Sequence, residues 1–377
     1  MSQALPKIGL LGGGQLGRML LQAAIDLDFE ISCLDPDAEA PCHLMATHFV
    51  QGSFQDFDTV YSFGQSHDVI SIEIEHVNIE ALERLENEGK LVYPQPHILK
   101  MIQDKRLQKQ FFRQHGFPTA DFILIDSANE IRNHLSFLPA FHKLGKGGYD
   151  GRGVQLIQNE SEISLGFKEQ GLLEKAVNFS KELAVIVARN SRGEISAFPA
   201  VEMVFHPVRN LVEFLVSPAE ISKEIEEKAS AIAVDLIGQL GMVGVLAVEM
   251  FLTAEGEILI NEIAPRPHNS GHHTIRANET SQYEQHLRAI SGLTLGITTS
   301  KCFSGMLNLL GEDGYTGPVK YEGLREIMSI PGVHPFLYGK KITKPFRKMG
   351  HVTILGDSRL EIEEKAEKVR NLIRVIC

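Results

Sequence analysis

The sequence contains no tryptophan and only four cysteines among its 377 residues. The cysteines are far apart and form no C-x-x-C pair, so they indicate no disulfide framework and suit a reducing compartment. No apolar run approaches the roughly 18 residues that cross a bilayer, and residues 1–7 lack the basic and apolar regions of a signal peptide. We therefore expect a cytoplasmic protein without a membrane partner.

Basic residues are also scarce relative to acidic ones, with Lys+Arg 37 against Asp+Glu 48 and a formal net charge of -11. Such an acidic chain does not favour sequence-independent binding to nucleic acid, so we expect no nucleic-acid partner. Any polyanionic ligand must instead be held by a local cluster of cations. The length, with 43% hydrophobic and 23% charged residues, predicts a globular protein of two or three domains.

The N-terminal part of the chain alternates strand and helix patterns. An apolar strand at 7–11 runs into three glycines and a helix at 15–28, and further strands follow at 30–34 and 68–75. This alternation predicts an α/β unit in which helices cover a parallel sheet. We assign it to residues 1–98.

The rest of the chain predicts two α+β units. The first, at 99–182, begins with a connecting helix at 100–115 and continues with short strands, glycine-rich turns and one helix near 161–170. The second, at 183–377, is larger. Its predicted elements are strands at 183–188, 195–201, 245–252 and 257–263 and helices at 222–240 and 359–372.

The first strand leads into the pattern Gly12-x-Gly14-x-x-Gly17, and Asp35 ends the next strand eighteen positions later. This is a dinucleotide fingerprint, because glycines let a ligand approach the backbone and the helix N-terminus offers free N–H groups. The motif alone favours a nicotinamide or flavin site over another phosphate ligand or tight packing. The downstream residues favour metal and phosphate chemistry, so the dinucleotide hypothesis becomes the second choice.

Two glutamates flank a predicted hairpin turn at 254–256. If the register is symmetric about that turn, Glu249 and Glu262 lie directly opposite each other on one face of the sheet. Their neighbours are strongly apolar, and two bare carboxylates there would repel each other. A hard divalent ion such as Mg²⁺, with Asn261 nearby, would resolve this repulsion. The alternative is a pair of solvated strand residues.

A glycine-rich segment with three cations lies between Lys143 and Gly153. Such a loop can close its amides and charges over phosphates, although it is not a Walker A loop; the alternative is a flexible basic turn. The segment 174–177 and Glu182 follow at the expected domain junction, where ligands commonly bind.

Polar groups directly follow Glu262, in the segment 265–273. His268 and His272 could suggest zinc, but no further soft ligand is evident, and donors to an oxyanion are the preferred interpretation. Near the C-terminus, Lys340, Arg347 and Lys348 concentrate positive charge in an acidic chain. They are either a solvated basic turn or a cluster that holds a phosphate monoester.

Four stretches together resemble the 5-(carboxyamino)imidazole ribonucleotide synthetase family: 12–19, 147–153, 261–272 and the tail around Lys340 and Arg347. The resemblance spans nearly the whole chain. It implies an ATP-grasp fold with a Rossmann-like N-terminal domain, a small central lid and a larger C-terminal α+β domain, in a homodimer. It also implies that ATP, bicarbonate and 5-aminoimidazole ribonucleotide are converted to the N-carboxylated ribonucleotide, ADP and phosphate in purine (IMP) biosynthesis, through carboxyphosphate.

The same resemblance implies roles for individual residues. The ATP contacts would be Lys105, Lys143, Lys146, Gly147, Gly148, Tyr149, Asp150, Gly151, Glu174, Lys175, Ala176, Val177, Glu182, His206, Asn261 and Glu262. The ribonucleotide contacts would be Gln15, Leu16, Glu73, Asn269, Lys340, Arg347 and Lys348. Mg²⁺ would be bound by Glu249 and Glu262. The residues nearest the chemistry would be Tyr149, Asp150, Arg152, Arg266 and His268, with Asp150 a hypothetical base toward the amine.

Three other functions stay open at this point. The first is another ATP-grasp ligase, such as formate-dependent glycinamide ribonucleotide transformylase or a biotin-carboxylase-like enzyme. The second is a nicotinamide-dependent oxidoreductase that uses the Gly12 turn and needs no Mg²⁺. The third is a non-catalytic nucleotide-binding regulator, which is disfavoured because Glu249 and Glu262 are both intact.

Overall fold

The computed structural model describes residues 5–148, 153–205 and 212–377. The first unit consists of β1 (Ile8–Leu11), α1 (Gln15–Asp26), β2 (Ile31–Asp35), β3 (His48–Gln51), α2 (Phe57–Gln65), β4 (Val69–Ile72), α3 (Ile79–Asn87) and β5 (Leu91–Val92). The strands form a parallel sheet in the order β3-β2-β1-β4-β5. β1 and β4 are buried along their whole length, as expected for parallel strands covered on both faces. The predicted Rossmann-like unit is confirmed.

The connecting segment is two helices, α4 (Pro96–Ile102) and α5 (Lys105–Gln114), so the prediction of one helix at 100–115 is wrong. The break has a local cause, because the Asp104 carboxylate accepts from the Arg106 backbone N–H (3.0 Å) and thereby starts a new helix. The Lys105 backbone N–H donates to the Gly145 carbonyl (2.8 Å). The break therefore places Lys105 where the connecting segment meets the central unit.

The central unit is a small antiparallel sheet. Its strands are β6 (Phe122–Ile125), β7 (Ala140–Leu144), β8 (Val154–Ile157) and β9 (Gly171–Lys175), in the order β6-β9-β7-β8. The helix expected near 161–170 is a short 3-10 segment at Glu160–Leu165, and another 3-10 segment spans Ala128–Phe137. The next strand begins at Phe179, so the expected domain limit at residue 182 falls inside a strand. The three-part division itself stays a prediction.

The remaining elements build the large C-terminal part. They are β10 (Phe179–Arg189), β11 (Ile195–Ala197), β12 (Val201–Phe205), β13 (Val212–Ser217), α6 (Lys223–Leu240), β14 (Gly244–Thr253), β15 (Ile258–Ala264), α7 (Thr274–Ala277), α8 (Gln282–Ile290), β16 (Phe303–Leu310), β17 (Gly317–Pro318), β18 (Lys320–Glu322), α9 (Leu324–Met328), β19 (Val333–Leu337), β20 (Ile342–Thr343), β21 (Lys348–Gly356), α10 (Arg359–Leu372) and β22 (Arg374–Ile376). Over the described residues, one antiparallel sheet runs β15-β14-β10-β12-β13-β16-β21-β19, with β11 beside β10.

Helix α8 joins the first unit to the large sheet. Its residues Tyr283 and Leu287 share one buried cluster with Leu10 and Met19 of the N-terminal unit. Because apolar side chains from both units exclude water together, the glycine turn is held at a fixed place beside the large sheet. In the described part of the chain, no helix is long and apolar enough to cross a membrane.

A buried carboxylate ties α10 to the large sheet. Glu202 on β12 forms ion pairs with Lys181 (2.7 Å) and Arg359 (2.8 Å), and its side chain is 10% exposed. Burial acts to raise the pKa of Glu202, but Arg359 and Lys181 outweigh it and hold the pKa below its ordinary value. The carboxylate therefore stabilises the fold above the unfolded pKa, and this contribution is lost as the pH falls through the folded pKa.

We expect Glu202→Gln to lower the free energy of unfolding at pH 7 by about 1–3 kcal/mol, because two cations lose their charged partner. The difference from the wild type should shrink as the pH falls below about 4.5. Denaturant titrations at pH 7 and at acidic pH measure both effects. Glu220→Gln is the matched control, since Glu220 also approaches Arg359 (3.3 Å) but its side chain is 72% exposed. An equal loss in both variants would contradict the prediction.

Candidate active site

The glycine turn between β1 and α1 binds carboxylates of its own chain. Glu73, just after β4, accepts from the backbone N–H groups of Gly14 (2.7 Å) and Gly17 (2.9 Å). Asp35, at the end of β2, accepts from the Gly13 N–H (2.7 Å). Three amides of the turn that could bind a ligand phosphate in a dinucleotide site are therefore already occupied by side chains of the protein.

The glycines are required for this approach of Glu73. A Cβ on Gly14 would lie 2.5 Å from Glu73 Oε1, and a Cβ on Gly12, where φ is +100°, would lie 2.5 Å from Glu73 Cγ. Asp35 is likewise engaged by Gly13 rather than presented to a ribose. The turn has the sequence of a dinucleotide fingerprint, but carboxylates of the protein bind the amides of Gly13, Gly14 and Gly17, so the oxidoreductase hypothesis loses its main support.

Glu249 on β14 and Glu262 on β15 are paired directly opposite each other, as predicted. Symmetry does not account for this pairing, however, because a register symmetric about Glu255 places Asn261, not Glu262, opposite Glu249. Leu252 pairs with Ile258, as in that symmetric register. A β-bulge between Glu249 and Met250 shifts the pairing by one residue and brings Glu262 into position.

Two basic residues from different parts of the chain contact this pair. Lys105, at the start of α5, donates to Glu262 Oε2 (2.5 Å), and His268 Nε2 lies 3.5 Å from Glu249 Oε1. Lys105 lowers the pKa of Glu262, whereas burial and the charge of Glu262 raise the pKa of Glu249. Without a metal ion, one carboxylate is thus ionised and the other is driven toward its protonated form.

The residues present fit a magnesium ion. Two carboxylates on adjacent strands share a face, and the amide oxygen of Asn261 lies beside them, where it also accepts from Lys143 Nζ (3.2 Å). Among the described residues there is no group of three or more His, Cys, Asp and Glu side chains that could hold a metal. A hard cation held by only two carboxylates takes further ligands from phosphates and water, which is the preference of Mg²⁺.

The zinc hypothesis for His268 and His272 finds no support. His272 is buried, and its Nδ1 lies 3.0 Å from the Tyr283 hydroxyl. His268 instead faces Glu249, and its Nδ1 lies 3.0 Å from the Ser270 hydroxyl. Both rings therefore have oxygen partners in the protein, and they do not converge with a thiolate on one point.

The predicted nucleotide segment 174–177 starts with the last two residues of β9 and continues beyond it. The Glu174 side chain is buried between Lys109 and Lys143, at 2.6 Å from each, and Lys175 Nζ donates to the Phe137 carbonyl (3.0 Å). These two side chains are directed to protein partners, so a nucleotide would meet this segment through its backbone. Glu182 on β10 is half-buried, and burial raises its pKa to about 7.

A cleft of about 690 Å³ runs between the three units. Its wall includes side chains predicted for the nucleotide, the ribonucleotide and the chemistry. The predicted residues in the wall are Gln15, Leu16, Glu73, Lys105, Gly147, Gly148, Glu262, Arg266, His268, Asn269 and Lys348. The chain thus brings the glycine turn and the metal strand, more than 200 positions apart, to one space.

Other predicted residues lie elsewhere. Lys340 Nζ donates to the Lys348 carbonyl (2.8 Å), and Arg347 donates to the Ile342 carbonyl (2.6 Å). Neither side chain is part of the cleft wall, whereas Lys348 is. Lys146 lies exposed in the glycine-rich loop. Five predicted site residues lie outside the described residues: Tyr149, Asp150, Gly151, Arg152 and His206.

Three family models match consecutive parts of the chain. The ribonucleotide synthetase preATP-grasp domain matches residues 5–103, and the ATP-grasp domain matches residues 110–283. The phosphoribosylaminoimidazole carboxylase C-terminal domain matches residues 304–365. The ATP-grasp match spans the central sheet and the strands β10 to β15 of the large sheet.

A crystal structure of N5-carboxyaminoimidazole ribonucleotide synthetase from Thermotoga maritima is 39% identical, covers 99% of both chains and has a TM-score of 0.91. This chain belongs to the N5-carboxyaminoimidazole ribonucleotide synthase family of ATP-grasp enzymes. The Aspergillus clavatus synthase, in complex with ADP and 5-aminoimidazole ribonucleotide, is 31% identical, with a TM-score of 0.89 over 97% of this chain and 98% of that one. The phosphoribosylaminoimidazole carboxylase of Vigna aconitifolia is 40% identical over 94% of this chain, which spans only 65% of that protein.

Two residues that hold side chains of the site in place were not predicted from the sequence. Glu75 pairs with Arg266 (2.7 Å), and Gln282 binds both the N–H (2.9 Å) and the carbonyl (2.7 Å) of His268. Gln282 is fully buried at the start of α8, where a polar side chain needs a partner. That burial is the signal for its role, and the sequence alone does not contain it.

We expect Gly14→Ala to lower the free energy of unfolding by about 1–3 kcal/mol, because the added Cβ would force Glu73 away from its two N–H donors. Denaturant titration measures the loss. Gly238→Ala in α6 is the control, since its Cβ would meet only Ile195 at 3.8 Å and should leave stability unchanged or raised. A Gly14→Ala protein as stable as the wild type would show that the contact with Glu73 contributes little.

Proposed function

We propose that this chain catalyses the ATP-dependent carboxylation of 5-aminoimidazole ribonucleotide with bicarbonate to 5-(carboxyamino)imidazole ribonucleotide, releasing ADP and phosphate in purine biosynthesis. The observation that carries the proposal is one cleft whose wall includes Glu262 and Lys105 from the carboxylate site and Glu73 from the glycine turn. Family membership and the ADP and ribonucleotide complex of the Aspergillus clavatus relative support it.

The metal end of the cleft suits nucleotide phosphates. Glu249 and Glu262 would hold Mg²⁺, which would neutralise phosphate charge when bound, and Asn261 lies beside them. Lys105 and Lys143 bring two further positive charges to the same end. These charges oppose the negative charge that develops during phosphoryl transfer to bicarbonate, a poor electrophile until it carries a leaving group.

The other end suits the ribonucleotide. Gln15, Leu16 and Glu73 line it from the first unit, and Asn269 and Lys348 line it from the C-terminal part. Asn269 Oδ1 is buried without a partner among the described residues, which suits a donor from the substrate. Arg266 and His268 line the same cleft, and we assign them to orienting the carboxylate source.

Several finer features belong to the same proposal. Carboxyphosphate as the activated species, Mg²⁺ as the cation and Asp150 as the base toward the amine follow from the resemblance. The glycine-rich lid would exclude water from the activated carboxylate. We also propose a cytoplasmic location, supported by four cysteines that are all free, with no nucleic-acid partner.

The direct test is ADP release from ATP, Mg²⁺ and bicarbonate, with and without 5-aminoimidazole ribonucleotide. We expect release that requires the ribonucleotide and is abolished when EDTA removes the metal. Glu262→Gln should lower kcat by about two orders of magnitude or more, because it removes both a metal ligand and the partner of Lys105. A coupled ADP assay measures each rate.

Glu255→Gln is the matched control for that variant, because Glu255 is exposed in the turn of the same hairpin. Its rate should equal that of the wild type. Release that is independent of the ribonucleotide would refute the proposed substrate. A Glu262→Gln enzyme with unchanged turnover would refute the proposed metal site.

The family resemblance also leads us to propose a homodimer. Light scattering coupled to size-exclusion chromatography should give a mass of about twice the 41.8 kDa of one chain. A mass of one chain at micromolar concentration would contradict this part of the proposal without affecting the chemistry.

A further inference from the structure

Helix α5 contributes a second lysine to the region of the metal strand, one turn after Lys105. Lys109 is a lysine on the apolar face of that helix, three residues before the fully buried Phe112. Its side chain is only 3% exposed. A buried ammonium is costly unless it is paired, so this position calls for specific partners.

The partners of Lys109 come from three segments. Its Nζ lies 2.6 Å from Glu174 Oε2 on β9 and donates to the Thr119 hydroxyl (2.5 Å), while the Ile260 carbonyl on β15 lies 3.4 Å away. The Thr119 hydroxyl in turn donates to the Ile260 carbonyl (2.7 Å). One ammonium thus connects α5, the lid sheet and the strand that carries Glu262.

Glu174 connects Lys109 to the side chains of the proposed nucleotide site. Its other oxygen, Oε1, accepts from Lys143 Nζ (2.6 Å), and Lys143 also donates to Asn261, the neighbour of Glu262. Lys109 does not line the cleft, whereas Asn261 is next in the chain to Glu262, which does. Lys109 is therefore connected to Lys143 through Glu174.

We propose that Lys109 is a positioning residue for nucleotide binding, which holds Glu174 and offsets its charge so that Lys143 stays available to the nucleotide phosphates. The inference rests on the proposed ATP site. The inference follows from the charges, because Lys109, Glu174 and Lys143 together have a net charge of one positive unit. Without Lys109 the remaining pair is neutral, and Lys143 becomes the sole cation compensating a buried carboxylate.

The pKa shifts of the buried pair agree with this role. Burial lowers the pKa of Lys109 to about 8, and Glu174 opposes this shift. Burial also acts to raise the pKa of Glu174, but Lys143 and Lys109 outweigh it, and the carboxyl stays ionised. Each partner keeps the other in its charged form.

The test is a cycle of variants whose binding of Mg²⁺-ADP is measured by titration calorimetry. Lys109→Met should weaken ADP binding about tenfold, because Lys143 is drawn to Glu174. The double variant Lys109→Met/Glu174→Gln restores the single positive charge of Lys143, which keeps Asn261 as a partner, so its affinity should return to within about threefold of the wild type. In steady-state assays, Lys109→Met should raise the KM for ATP more than it lowers kcat.

Lys100→Met is the matched control, since Lys100 lies on the adjacent helix in an exposed pair with Glu83 and should leave ADP binding unchanged. A double variant that binds ADP as weakly as Lys109→Met, or a Lys109→Met protein that binds like the wild type, would overturn the inference. If Lys109→Met does not fold, the double variant still decides, because it removes the buried carboxylate together with the ammonium that compensates it. Loss of ribonucleotide-dependent ADP release with ADP binding intact would count against the proposed function alone.

Discussion

The arrangement of this protein depends on two like charges placed opposite each other. Glu249 and Glu262 face one another on adjacent strands, and neither can stay ionised at that spacing without nearby positive charge. Lys105 of the connecting helix and Lys143 of the lid bring positive charge, and His268 from the loop after β15 lies beside Glu249. The repulsion of one carboxylate pair thus gives a reason for three separate segments to meet at one place.

The glycine turn shows how one motif can serve a different purpose. In a dinucleotide site, its amides receive a ligand phosphate. Here Glu73 takes the amides of Gly14 and Gly17, and Asp35 takes that of Gly13. The turn therefore fixes the position of an acidic side chain that lines the cleft, and the glycines are needed because any Cβ would displace it.

Largely buried side chains behind the cleft hold in place the residues that face the ligands. Glu75 holds Arg266, Gln282 holds the backbone of His268, and Lys109 with Glu174 holds Lys143. Each of these groups is largely removed from water, where an unmatched polar group is costly, so each contact has a narrow range of geometry. Positioning of the groups that face the ligands therefore depends on residues that do not face them.

The sequence by itself determined the parallel N-terminal unit and the last helix, because each depends on local periodicity, and it drew attention to Glu249 and Glu262 as acidic residues on the two strands of a short hairpin. It also carried the family resemblance through the segments 147–153 and 261–272. Only the tertiary structure decided that a bulge at Asn261 brings Glu262 opposite Glu249, that Asp104 splits the connecting helix, and that Glu73 fills the glycine turn. The physical reason is distance along the chain: Glu73 and Gly14, or Lys109 and Glu174, are about sixty residues apart, and their pairing follows from burial that no local pattern reveals.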